Sequence, residues 1–390
     1  MRPRIYSSIK FGFSSEDIDR EVLDVILRLN GAGYKAYIVG GGVRDLLLGK
    51  RPKDFDLVTD ARPTQIKRIF RNARVIGRRF KLVHIYFSRL KYLELATFRQ
   101  KQSDPDDPSE EQYDQNEFGT EETDAFRRDL TINGLYYDPE SEEIIDYVGG
   151  VEDLQAGLVK VIGEPALRFA EDPVRMLRVI RHAVKASFSI DPLTLSALQQ
   201  SAELIKNSAT VRVYEELRKD LNSGTAFTVL KLLNQYGLLQ FVAPELAKAA
   251  FLQKDYDGSM RKILKRCDEI VWLEPSERAA TSVEALIALA FRYSKKANFL
   301  SSFSKATKDE LPKLLQRCFT GLAIPKKEMF KLADLLDLLR AAATPNLTTR
   351  QIKSISRDPL AKELHLLLCF LNQDSSTQHL LDLLEMPANS

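Results

Sequence analysis

Residues 37–61, YIVGGGVRDLLLGKRPKDFDLVTDA, impose a tight order of elements on the chain. Tyr37, Ile38 and Val39 are apolar and predict a strand. Gly40, Gly41 and Gly42 predict a turn, and VRDLLLG predicts one short helix ending at Gly49. Asp-Phe-Asp then opens a second strand, over 55–58. Side chains at i and i+2 of a strand share a face. Asp54 and Asp56 are therefore expected to converge, with Phe55 turned into the core. Mg²⁺ takes one or two carboxylates and completes its shell with water and phosphate oxygens. A glycine turn before a helix offers N–H groups and the positive end of a dipole, which suits a triphosphate. Gly41, Gly42 and Arg44 are the candidate nucleotide contacts here. Singly, a triple glycine reads as a turn and a D-x-D as a solvated strand end. In this order they point to phosphoryl or nucleotidyl transfer.

The pattern along the chain changes part-way. Residues 16–34 carry Ile18, Val22, Val25, Ile26 and Leu29 at helical spacing. A helix over 64–71 and strands in ARVIG, LVHIYF and YLELATFR follow, the last two alternating. DAFRRDLTINGLYYD predicts a helix start, and EIIDYVGG a short strand pair. From about residue 151 nearly everything reads as amphipathic helix: 165–187, 192–206, 210–221, 225–236, 259–271, 279–293, 308–320, 326–342, 348–356 and 358–371. With 390 residues the chain exceeds one ordinary core, and two or more domains are expected.

Charge is uneven although the net is only +3. Residues 1–100 hold 21 Lys/Arg and 10 Asp/Glu; residues 101–125 hold one Lys and 10 Asp/Glu. The basic part suits nucleotide and RNA phosphates, or is simply a solvated surface. The acidic stretch 101–125 predicts a mobile surface loop. No apolar run is long enough to span a bilayer, and the N-terminus has no signal-peptide core. Cys267, Cys318 and Cys369 are far apart, which excludes a zinc spacing or disulfide framework and suggests a reducing compartment. The four histidines form no cluster, so a histidine-built metal site is not expected.

Three further stretches carry chemistry. In RRDLTINGL, Arg128 and Asn133 suit phosphate and sugar, and Asp129 suits a ribose hydroxyl; equally, this is a charged helix start with an Asp cap. In EDPVRMLR, Asp172 and Arg175 are three apart on an expected helix and share a face. They are either an i, i+3 ion pair or a pair that reads a base edge, the carboxylate taking an exocyclic amine and the guanidinium donating to ring nitrogens. Glu94, in YLELATFR, is a candidate third carboxylate of the metal site or a solvent-facing strand residue.

These motifs resemble a known family. GGGVRDLLLG-(x)4-DFD-(x)2-T resembles the first motif of the class II nucleotidyltransferases, which include tRNA CCA-adding enzymes and bacterial poly(A) polymerases. RRDLTINGL resembles their second motif, which helps bind the incoming nucleotide; Leu130 and Gly134 are small departures at packing positions. DLQAGLVKVIG resembles the flexible linker between head and neck. Glu171, Asp172 and Arg175 resemble the E-D-x-x-R protein template, with Arg178 extending its basic face. VRVYEELRKDL sits where the family has a bracing helix, and a structural role is expected for it. The pattern Gly-Arg-Arg-Phe-x-Leu-x-His at 77–84 is typical of the poly(A) polymerase branch.

The resemblance covers residues 11–245 closely and implies an α+β fold. A DNA polymerase beta-like nucleotidyltransferase head with a mixed sheet (1–150) precedes an all-α neck (151–245), body and tail (246–390). It implies two Mg²⁺ ions, or Mn²⁺, at Asp54 and Asp56, ATP as substrate and an RNA 3′ end as partner, in the cytoplasm. The expected activity is template-independent transfer of AMP to RNA with release of pyrophosphate. A CCA-adding tRNA nucleotidyltransferase using CTP and ATP is the alternative, and a catalytically silent RNA-binding protein is a more distant one. The C-terminal LLEMPANS lacks the basic extension of some poly(A) polymerases, which suggests distributive action. Protein partners and oligomeric state are left open.

Overall fold

Alternation of apolar and polar residues builds one sheet in the N-terminal part of the chain. The computed structural model describes residues 2–77, 82–88, 91–100, 118–248, 251, 264, 265, 268, 325–342, 344 and 347–365. Contacts divide the chain into one unit of Met1–Pro165 with Phe188–Thr194, and a second of Ala166–Ser187 with Leu195–Ser390.

Among the described residues, the main sheet of the first unit has eight strands: β1 (Arg4–Ser7), β2 (Ala36–Val39), β3 (Asp56–Thr59), β4 (Ala73–Ile76), β5 (Leu82–Tyr86), β6 (Tyr92–Thr97), β7 (Leu135–Asp138) and β8 (Glu143–Asp146). Their order is β1-β8-β7-β2-β3-β6-β5-β4. β3 and β6 are parallel, while β2 pairs antiparallel with both β3 and β7. The mixed sheet of the expected fold is therefore present. Period-2 alternation sends successive side chains to opposite faces. Ile38 and Leu57 join the larger core with Val22, Val25, Ile26 and Leu29 of α1 (Arg20–Gly31). Val39 and Val58 face the other way, into a smaller cluster with Phe98, Tyr136 and Ala125 of α4 (Glu121–Arg127). Each large apolar side chain so buried contributes about 1.5–3 kcal/mol.

α2 (Gly41–Leu47) and α3 (Pro63–Ile69), with Pro63 at the first helical position, complete the connections around β3. After β8, the Asp146 carboxylate accepts from the N–H groups of Val148, Gly149, Gly150 and Val151, at 2.8–3.1 Å. It thereby satisfies the open start of α5 (Gly150–Gln155). β9 (Leu158–Val159) pairs in parallel with β10 (Ser189–Ile190). The stretch that resembles a flexible linker is thus regular structure: a helix followed by a paired strand.

The second unit is helical where it is described. It contains α6 (Pro165–Glu171), α7 (Arg175–Ala186), α8 (Pro192–Ser201) leading into a 3-10 turn, α9 (Thr210–Leu221), α10 (Ala226–Gln235), α11 (Leu239–Val242) and α12 (Pro244–Ala247). Farther on come α13 (Lys326–Ala342) and α14 (Thr349–Ser356). The single helix expected over 165–187 is broken at Asp172–Val174, because Pro173 lacks the N–H that a continuous helix needs. The expected helices 279–293 and 308–320, most of the acidic stretch, and all three cysteines lie outside the described residues. No helix among the described residues is long and apolar enough to cross a membrane.

Candidate active site

Only one of the three glycines makes the turn after β2. Gly40, with φ 73° and ψ −127°, takes a conformation that side chains rarely tolerate, and Gly41 already begins α2. This corrects the expected helix start. Gly42 matters for close approach instead: a Cβ there would lie 3.3 Å from Phe55 Cδ1 and 3.6 Å from the Asp54 carbonyl oxygen. α2 can therefore pack directly on the chain that enters β3.

Asp54 and Asp56 are exposed, and Phe55 between them is buried in the larger core, as the alternation requires. The parallel register sets Asp56 beside Glu94. Partial enclosure and the like charges of Glu94 and Asp54 push the Asp56 pKa up, against a downward pull from Arg128. A carboxylate crowded by like charges is one that a divalent cation would relieve. Among the described residues no three metal-binding side chains lie close enough to share one ion. The fit is thus to two carboxylates, Asp54 and Asp56, with water and phosphate completing the shell. Glu94 Oε1 lies 3.4 Å from His84 Nε2, so in this arrangement it faces the imidazole across β5 and β6.

The positive charge beside the carboxylates is held in a buried network. Arg127 and Arg128 close α4; they do not open a helix as the sequence suggests. Asp124, with no exposed surface, accepts from Arg127 Nε (2.8 Å), Arg128 Nη2 (2.9 Å) and the Tyr136 hydroxyl (2.9 Å). Burial pushes the Asp124 carboxyl up, but Arg128 and Arg127 outweigh it, and the pKa lies below the ordinary value. Arg128 also lies over the Tyr136 ring, 5.5 Å from its centre, and its Nη1 is 3.7 Å from where a Cβ on Gly40 would sit. The buried Arg44 donates through Nη1 to Asn133 Oδ1 (2.8 Å) and through Nε to Asp45. Arg44 therefore orients Asn133, which lies on the 3-10 turn Thr131–Asn133. Asp129 is buried and accepts from the Leu130 N–H at 2.9 Å.

In the second unit, Asp172 occupies the break between α6 and α7, and the intrahelical pair with Arg175 does not form. Asp172 Oδ2 accepts from Arg212 of α9 at 2.9 Å, while the buried Oδ1 has no hydrogen-bond partner among the described residues. Arg175 is buried and donates to the Arg168 carbonyl (2.8 Å) and to Glu171. Arg178 follows on α7, half-buried. Arg181 bonds Glu216 and Asp220 of α9, so the helix expected to brace α7 does so. Burial pushes the Asp220 carboxyl up to about 6 against the pull of Arg181.

Residues 36–160 match the family model described as "Poly A polymerase head domain", and residues 187–250 match "Probable RNA and SrmB-binding site of polymerase A". The chain is 39% identical over 333 residues to poly(A) polymerase I of Salmonella typhi, covering 80% of this chain and 70% of that protein. The chain belongs to the poly(A) polymerase family. A CCA-adding enzyme of Bacillus licheniformis is 34% identical over 225 residues, 57% of this chain and 55% of that enzyme. The crystal structure of the Bacillus stearothermophilus CCA-adding enzyme in complex with CTP superposes with a TM-score of 0.62 at 25% identity, covering 94% of this chain and 80% of that one.

The head of this family member contains two residues that sequence reasoning missed. Asp124 lies in the acidic stretch, where composition hides it, although its i+3 and i+4 spacing to Arg127 and Arg128 was visible. Tyr136 gave no signal as a hydrogen-bond donor to it. In the second unit, Arg212 lies 40 residues from Asp172, a separation that local pattern does not bridge. Arg78, Arg79, Phe80 and Lys81 of the branch-specific pattern lie outside the described residues; Gly77 and His84 lie within them.

Proposed function

We propose that this chain is a template-independent polynucleotide adenylyltransferase, moving AMP from ATP to the 3′-hydroxyl of RNA and releasing pyrophosphate. The geometric observation that carries the reading is the carboxylate group at the start of β3: Asp56 with Glu94 beside it, and Asp54, just before the strand, close enough for its charge to raise the Asp56 pKa. The identity to poly(A) polymerase I, higher and more extensive than that to the CCA-adding relative, supports AMP as the transferred group.

Asp54 and Asp56 are the residues that would hold Mg²⁺, or Mn²⁺ in its place. Two bound ions supply the Lewis acid that makes the RNA hydroxyl a better nucleophile and stabilises the leaving pyrophosphate. The N–H groups of Gly41 and Gly42 and the charge of Arg128 meet the triphosphate. Arg44 holds Asn133 toward the ribose, and Asp129 offers a carboxylate to a ribose hydroxyl. Glu94, beside Asp56, adds a like charge that a divalent cation at the pair would relieve. Asp172 Oδ1 is a buried acceptor that suits the exocyclic amine of adenine, with Arg175 and Arg178 as the adjacent donors. The RNA 3′ end and ATP are the partners, and the cytoplasm is the compartment where they meet.

The test is stoichiometry. With ATP and a single-stranded RNA, one pyrophosphate should appear for each AMP incorporated. Pyrophosphate release without RNA extension, or no release at all, contradicts the reading.

A further inference from the structure

The sheet face that carries Asp56 continues past Glu94 to the sheet edge. Strand register aligns Asp56, Glu94, His84 and Arg74 in one row across β3, β6, β5 and β4. Tyr92 and Tyr86 are paired two residues along, on the same face. His84 stacks on Tyr92 with ring centres 4.2 Å apart and planes 12° from parallel. The Tyr86 ring lies 5.5 Å from Tyr92, and the Arg74 guanidinium lies 5.2 Å from the centre of Tyr86. None of these four side chains belongs to either hydrophobic cluster of this unit, and Tyr92 is 44% exposed. Of these rings only His84 and Tyr92 are parallel; Tyr86 is tilted by 44° to Tyr92, and His84 and Tyr86 are partly buried beside the exposed Tyr92.

We propose that His84, Tyr86, Tyr92 and Arg74 form a stacking platform for the bases of single-stranded RNA just upstream of its reacting 3′ end. Flat π faces accept any base, and a guanidinium can stack on a base or meet the phosphate between two of them. Position supports this occupant. Neighbouring strands are about 4.8 Å apart, so His84, two strands from Asp56, lies about 10 Å from it. Successive stacked nucleotides advance by about 3.4 Å. A 3′-terminal nucleotide at the carboxylates would thus bring bases about two to four positions upstream onto the rings. The inference rests on the adenylyltransferase reading and adds how the primer is held.

The experiment is equilibrium binding of a short fluorescent oligoadenylate in EDTA, which needs no turnover. Tyr92→Leu keeps apolar bulk and removes the ring; Tyr92→Trp keeps a ring. Tyr92→Leu should weaken RNA binding about tenfold, and Tyr92→Trp should restore it. Abasic sugars at the second to fourth positions from the 3′ end should weaken wild-type binding by a similar factor, and should weaken Tyr92→Leu little further. Equal affinity of Tyr92→Leu and wild type, or an undiminished abasic effect in the variant, overturns the platform. A wild-type protein that binds RNA through Tyr92 yet adds no AMP would overturn the functional reading and leave the platform standing.

Discussion

The role proposed for Asp54 and Asp56 rests on charge and position together. Asp54→Asn or Asp56→Asn keeps the shape and removes a negative charge from the metal-binding pair. Each should reduce AMP incorporation by several orders of magnitude while leaving the thermal melt near that of wild type. Robust extension by a folded double variant would contradict the assignment. The role proposed for Asp172 belongs to the same scale, in the second unit, where Oδ2 is paired with Arg212 and the buried Oδ1 has no hydrogen-bond partner among the described residues. Asp172→Ala should lower selection of ATP over CTP by about 1–3 kcal/mol, read as the ratio of kcat/KM values. A preserved ratio would reduce Asp172 to a tie between α7 and α9. The carboxylate pair was legible because the pattern is local: Phe55 is buried and Asp54 and Asp56 are exposed, although the strand itself begins only at Asp56 rather than at 55. Asp172 was legible as a residue and not as a geometry. Its expected partner was Arg175, but Pro173 breaks the helix and the partner comes from α9.

Among elements, the buried Asp124 carboxylate is one tie of α4 to the sheet, beside Ala125 in the smaller core and the Glu121–Lys35 ion pair. Asp124 ties Arg127, Arg128 and the Tyr136 hydroxyl of β7, and removing its charge deletes a buried ionic partner of both guanidiniums. Asp124→Asn should cost about 3–5 kcal/mol in urea unfolding. Its pH dependence has a definite sign. The folded pKa is held below the ordinary 3.8, so the stabilisation is fully present above that value and is lost as pH falls through the folded pKa. Wild type should lose more stability than Asp124→Asn between pH 5 and about pH 2; equal losses would show that Asp124 is not the titrating group. Close packing sets a second limit. A Cβ on Gly150 would lie 2.2 Å from the Thr131 carbonyl oxygen, where α5 crosses the turn that carries Asn133. Gly150→Ala should destabilise by about 1–3 kcal/mol or more, seen as a lower Tm; an unchanged Tm would contradict that contact. Neither Asp124 nor Gly150 stood out in the sequence, because each is defined by atoms distant along the chain. The strands β5 and β6, by contrast, were written in local alternation.

For the whole molecule, the change from mixed sheet to helix was legible in hydrophobic period, and so was the family from its motifs. β1 was not: Arg4–Ser7 has little pattern of its own and is a strand because β8 offers it an edge. The central claim concerns which nucleotide is added and to what. The direct measurement gives the purified protein each of the four NTPs separately, with Mg²⁺, on a generic single-stranded RNA and on a tRNA lacking its terminal nucleotides. ATP alone should add many adenosines to the generic RNA, and CTP little or nothing. Addition that stops after C-C-A on the tRNA, with no extension of the generic RNA, would contradict the claim.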